Sequence, residues 1–103
     1  MSYFPPLLQS LPRFPGPLDA YLLKAPGTDV LLVSYPPHTD IPPHRHDTEN
    51  VGVVTQGELL LMLDGTEQRI GTGEWYHIPA HVLHAARTQV ATATIEFWCT
   101  ADA

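Results

Sequence analysis

Three histidines are the residues of this chain whose type and spacing could do chemistry. His44 and His46 stand two apart behind Pro42-Pro43, and His84 follows 38 residues after His46, behind Ile78-Pro79. On a β-strand residues i and i+2 point to the same side, so His44-Arg45-His46 presents two imidazoles to one face. A third imidazole arriving from a partner strand would complete a metal clamp, and imidazole suits Zn, Cu, Fe and Ni alike. Tyr76, His77 and His81 are further titratable groups near His84; any of them that turned inward would be placed for general acid or base work. His81, nearest to His84, is the candidate catalytic residue. Tyr76 and His77 read as packing residues with polar tips, and His38, between Pro37 and Thr39, reads as a solvated loop residue.

The elements that must position these groups are strands and turns, with almost no helical periodicity. Asp19 to Lys24 and Asp29 to Tyr35 read as a hairpin around Pro26-Gly27, and Pro36-Pro37 ends its second strand. Val51 to Gln56 and Glu58 to Asp64 read as two strands about Gly57, and Asp64-Gly65 is a two-residue hairpin signal leading into Thr66 to Ile70. Trp75 to Ile78, His84 to Gln89 and Ala91 to Trp98 complete about eight short strands, the pattern of an all-β sandwich or small barrel. Residues 1–17 carry five of the eleven prolines and read as an extended arm outside the barrel, leaving 18–103 as a single domain.

Two strands leave questions open. Glu58 to Leu63 is apolar on both faces, so something covers its outer side: the arm, a second sheet or a second subunit. That strand, with Val51 and Val53 beside it, predicts a homodimer clasped by the arm. In the last strand, alternation puts Glu96 and Trp98 on the face opposite Ile95 and Phe97. The aromatic residues there and Trp75 read as mostly core, and neither face is singled out as the one lining a cavity.

Composition narrows the partners. With five Lys and Arg against eleven Asp and Glu, the chain carries a formal charge of −6, and its four arginines are scattered. Nothing forms a basic stripe for nucleic-acid phosphates or an anionic membrane surface. The longest apolar run, Leu59 to Leu63, is far too short to span a bilayer. The first residues show no secretory pattern, and a single cysteine, Cys99, makes no internal disulfide, so the expected location is a reducing cytoplasm.

The glycines between the histidines turn the clamp into a family resemblance. The segment from His44 through Asp47 and Gly52 to Gly57-Glu58 resembles the first cupin motif: two histidines, an acid, then a strand ended by glycine. Gly73-Glu74-Trp75-Tyr76-His77-Ile78-Pro79, followed by His84, resembles the second. The two cover residues 44 to 84, and the flanking strands extend the likeness over most of the chain. The resemblance implies a double-stranded β-helix, or jelly-roll barrel, holding one divalent transition metal (Zn, Fe, Ni, Cu or Mn) on His44, His46 and His84.

Two positions depart from the pattern. Seven residues before Gly57, where cupins usually place a glutamate ligand, stands Asn50; Glu49 is one residue off and so faces the wrong side unless the strand bulges. Asn50 is therefore the candidate fourth ligand, with Glu49 or water as alternatives. Three neutral imidazoles would leave the ion's charge uncompensated and favour an anionic organic ligand. His81 stands where the family often has glycine, and Thr88 where some members have asparagine. The resemblance implies a metal-dependent enzyme of dioxygenase, isomerase or lyase type, with a non-catalytic binder or sensor of small molecules as the alternative. Sensors of this kind often carry a DNA-binding domain, for which this chain shows neither room nor a basic helix.

Overall fold

A computed structural model describes residues 2–100. Met1, in the arm, and residues 101–103, at the end of the expected barrel domain, lie outside the described residues. The chain forms a short 3-10 helix, Pro6–Ser10, and then β1 (Asp19–Ala25), β2 (Thr28–Tyr35), β3 (Thr39–His44), β4 (Thr48–Gln56), β5 (Glu58–Leu63), β6 (Thr66–Gly71), β7 (Trp75–Ile78), β8 (His84–Thr88) and β9 (Thr92–Thr100). Two antiparallel sheets result, one ordered β1-β2-β9-β4-β7 and the other β3-β8-β5-β6. Turn chemistry dictates much of this. Gly27 takes a φ of 73° between β1 and β2, and Asp64 and Gly65 take 48° and 84° between β5 and β6, the left-handed pair a tight hairpin turn requires.

Strand β3 is absent from the sequence reading because Pro42 and Pro43 lie within it. It is an edge strand, where a residue without an amide hydrogen breaks no ladder bond on the open side. The prolines also coincide with a register shift between Ile41 and His44. Three apart on a regular strand, these residues would face opposite ways; the bulge turns both inward, Ile41 into the core and His44 onto its partner His84.

The apolar interior lies between the sheets. Leu59 and Leu61 of β5 and Ile70 of β6 pack against Val54, Tyr76 and Ile78 of the facing sheet. Ala20, Leu31, Val33 and Tyr35 form a second cluster with Ile41 and Trp98 against it. A third cluster lies on the outer side of the five-stranded sheet, where the arm folds back: Phe4 is buried with Tyr21, Leu32 and Ala93, and the Tyr3 amide donates to Ser34 Oγ at 3.0 Å. Burying Phe4 stabilises this arrangement by about 2–3 kcal/mol.

The outer side of β5 is covered by neither the arm nor the facing sheet. Leu60, only 4% exposed, lies across from Arg69 on one neighbouring strand and Arg87 on the other. The stems of both arginines shield it while their guanidinium groups pair with Glu58 at 2.6 Å and Glu67 at 3.2 Å. Trp75 also departs from expectation: it is 61% exposed, stacked on Phe97 at 6.3 Å on the outer face. Among the described residues no helix is long and apolar enough to cross a membrane.

Gly52 links fold to site. It lies directly between Glu96 on β9 and Tyr76 on β7, and a Cβ there would overlap the Tyr76 ring. Gly52→Ala is expected to destabilise the protein by roughly 3 kcal/mol in urea unfolding, because the ring has to leave its place in the core.

Candidate metal centre

His44 and His84 are cross-strand partners on β3 and β8, and His46 follows in the loop two residues past His44. The ring centroids lie 4.7 Å apart for His44 and His46, 4.2 Å for His44 and His84, and 5.0 Å for His46 and His84. One nitrogen from each ring falls within 4.8 Å of the others, so the three could hold a metal ion. The backbone selects which nitrogen. Nδ1 of His44 lies 2.7 Å from the Pro42 carbonyl and Nδ1 of His84 lies 3.0 Å from that of Val82. A carbonyl only accepts, so each Nδ1 carries the hydrogen and each Nε2 keeps its lone pair for an ion. Nε2 of His44 and Nε2 of His46 approach to 3.1 Å. Two such nitrogens stay that close only by sharing a proton or a cation, and the donor set fits a divalent transition ion.

The loop carrying His46 is tied down by the turn after β7. The amide of His81 donates to the His46 carbonyl at 2.7 Å, and His81 itself takes a φ of 68°. That left-handed backbone explains why glycine would suit the position. The side chain of His81 is exposed and does not line the cavity, so the structure separates this candidate from the three histidines. Its part in the site is its amide.

Alternation on β4 separates Asn50 from Glu49. Asn50 is buried and lines the cavity with the histidines, its Oδ1 accepting from the Thr48 hydroxyl at 2.7 Å. Glu49 faces out, where its carboxylate takes His77 Nε2 and the Ala80 amide, both at 2.7 Å. The Ala80 amide first, and His77 second, hold the Glu49 carboxyl below its ordinary range. His77 is thus an outer partner of Glu49. Tyr76, its neighbour, points the other way, into the cavity.

The wall facing the histidines holds what the sequence reading left unassigned. Glu96 and Trp98 of β9 turn inward, with Tyr35 of β2 beside them. Glu96 Oε2 accepts from the Tyr35 hydroxyl at 2.7 Å and the Thr94 hydroxyl at 2.8 Å, and Oε1 accepts from the Trp98 indole at 3.1 Å. A carboxylate has about four acceptor positions, and these bonds take three. Burial first, and the Glu96 charge second, push the Tyr35 and Tyr76 phenols well above their usual range, so both stay protonated. Trp98 also lies against His46, ring centroids 4.4 Å apart, so one indole joins the carboxylate to the histidines. The cavity between these two polar groups measures about 190 Å³ and is otherwise apolar, walled by residues such as Leu31, Val33, Leu59 and Leu61. Period-two patterning grouped Glu96 with Trp98, but no sequence signal singled out Tyr35.

Burial is the largest cause holding the His46 and His84 imidazoles below their ordinary value; repulsion from the neighbouring histidines adds to it. A depressed histidine pKa means that the folded site disfavours the proton, and an ion needs the neutral ring. Proton competition at these two nitrogens is therefore expected to set in only below about pH 6.5, the unperturbed histidine value. Calorimetric titration with zinc between pH 7.5 and 5 reads this, with His84→Ala, which is expected to lose stoichiometric binding, as the reference. A second expectation concerns Asn50. Asn50→Glu should tighten zinc by about tenfold and weaken anionic ligands, because it adds a negative donor beside the ion; equilibrium dialysis measures the first and competition with oxalate the second.

The Cupin domain family profile matches residues 31–98. The H2HPP isomerase of Bacillus subtilis is 38% identical over 63 residues, which are 60% of this chain, and the match spans 27% of that relative's length. An RmlC-like cupin from Shewanella frigidimarina superposes with a TM-score of 0.80 at 19% identity, over 98% of this chain and 93% of that one. KdgF from Halomonas sp. superposes with a TM-score of 0.72 at 21% identity, over 82% of this chain and 81% of its own. At such identities the structural likenesses establish the fold. The profile match covers both histidine motifs and runs from β2 through to Trp98, and with the jelly-roll barrel it makes this chain a member of the cupin family.

Proposed function

We propose that this cupin is a metal-dependent enzyme of isomerase or lyase type, acting on a small organic anion held inside the barrel. The observation that carries this reading is the pairing, across one apolar cavity, of three converging imidazoles with the lone carboxylate of Glu96. One divalent transition ion on His44, His46 and His84 would supply a positive charge that polarises a carbonyl oxygen. Asn50 leaves that charge unneutralised at the position where a carboxylate would reduce it, so an anionic head group is drawn to the histidine side.

The chain's own residues supply the proton chemistry. Glu96 takes a proton from the carbon beside the carbonyl; the C–H electron pair moves into the new C–C double bond and the carbonyl pair onto its oxygen. Where a further C–C double bond is conjugated with the enolate, returning the proton to the far carbon of that system gives an isomer. Where the next carbon carries a leaving group, its departure with the bonding pair as the carbonyl re-forms gives a lyase product. Tyr35, Thr94 and Trp98 aim their donors at Glu96 and hold it in place. The apolar walls lower the polarity around these groups, which strengthens each of these interactions. A proton acceptor opposite the histidines favours this chemistry over oxygen insertion. The isomerase named among the relatives points the same way.

The test is exchange of the C3 protons of phenylpyruvate with deuterium oxide, followed by proton NMR on zinc- and iron-loaded protein. Metal-loaded protein is expected to accelerate exchange, and Glu96→Gln to lose about 10²–10⁴-fold of that acceleration while keeping its metal. Binding of the 2-oxo acid without any exchange would make the protein a non-catalytic binder.

A further inference from the structure

The segment joining the arm to β1 builds one wall of the cavity. Phe14, Pro15, Gly16, Pro17 and Leu18 all line it, although they precede the first strand. Both ends of this loop are tied. The Phe14 amide donates to the Ala20 carbonyl at 2.9 Å, and the Leu22 amide donates to the Pro12 carbonyl at 2.8 Å. Arg13 pairs with Asp19 at 2.9 Å, and its guanidinium lies 5.3 Å from the centre of the Tyr21 ring. Within the loop, prolines on both sides of Gly16 have their φ fixed by their own rings, and Gly16 takes a φ of 146° that other residues rarely adopt. A loop closed at its base and stiffened in its middle is a fixed wall, not a flap.

That wall continues an aromatic file toward the histidines. The Phe14 ring lies 6.5 Å from Trp98, and Trp98 lies 4.4 Å from His46. A ligand whose head reaches the histidines therefore has its body against Trp98 and Phe14. The space for that body is small. An apolar cavity of about 150 Å³ holds benzene, and this one, at about 190 Å³, must take the head group as well.

Building on the metal site proposed above, we infer that the Phe14–Leu18 loop sets the size of the ligand: an oxygen-headed anion whose apolar body is no larger than a single six-membered ring. Phe14 is the specificity-determining residue.

Three hydroxamates, sharing one metal-seeking head, test this by calorimetry on zinc-loaded protein. Benzohydroxamate is expected to bind the intact chain at least about tenfold more tightly than 2-naphthohydroxamate, the discrimination one misfitted apolar ring commonly gives. Phe14→Ala is expected to bring the two within about twofold, with acetohydroxamate, which has no ring, bound equally by both proteins. Phe14→Trp is expected to weaken benzohydroxamate and spare acetohydroxamate. Equal affinity of the intact chain for the one-ring and two-ring compounds, with all binding lost in His84→Ala, would overturn the size limit alone. An unmoved ratio in Phe14→Ala would overturn the role of the loop. No hydroxamate binding at all, or binding that survives His84→Ala, would overturn the metal reading and this inference with it. Phe14 sits in an exposed loop, so circular dichroism of the variants is expected to match the parent.

Discussion

The pairing of β3 with β8 is the constraint on which the site depends. His44 lies opposite His84 only because the register shifts at Pro42-Pro43, bringing two odd-spaced residues to the same side. Without that bulge either Ile41 would leave the core or His44 would leave the cavity, since a strand alternates strictly. Prolines in the middle of a sheet would break its ladder. At an edge they set a bend without that cost, and the hydrogen bonds from His44 to Pro42 and from His84 to Val82 then orient both rings. The placement of these two rings is therefore set by the backbone beside each of them.

The facing sheet supplies the complementary half. Leu31, Glu96, Gly52 and Tyr76 form one row across β2, β9, β4 and β7. The missing side chain of Gly52 gives the Tyr76 ring room to lie across that row, where the Glu96 charge acts on its phenol. A carboxylate in an apolar cavity is costly to bury unless donors reach it. Tyr35, Thr94 and Trp98 do so, which is why Glu96 can stand opposite three imidazoles without being drawn to a cation of the protein's own.

A barrel of this size has little surplus core, and it uses every covering available. The arm is packed over the outer face of the five-stranded sheet through Phe4, so Leu32 of β2 is buried under the arm while Leu31 and Val33 are buried between the sheets. On the other sheet, arginine stems take that role over Leu60. The same arm then forms one wall of the cavity at Phe14, so a segment that stabilises the fold also shapes the ligand space.

The turn at Asp64-Gly65 and the one-residue offset between Glu49 and Asn50 were legible in the sequence because each is local: alternation and turn conformation follow from neighbours along the chain. His44, His46 and His84 were legible through the two motifs that carry them. The offset alone predicted opposite faces, and Glu49 does bind His77 and Ala80 outside while Asn50 lines the cavity. What the sequence did not determine was which face of β9 is the inside. Ile95 and Phe97 alternate with Glu96 and Trp98, both faces carry aromatic surface and the arm covers much of the outer one, so hydrophobicity names no winner. Likewise β3 was hidden by its own prolines, and the arm's wall at Phe14–Leu18 rests on contacts with residues far along the chain. Those choices belong to tertiary packing, because only the closing of two sheets over one cavity decides which half of an alternating strand meets the histidines.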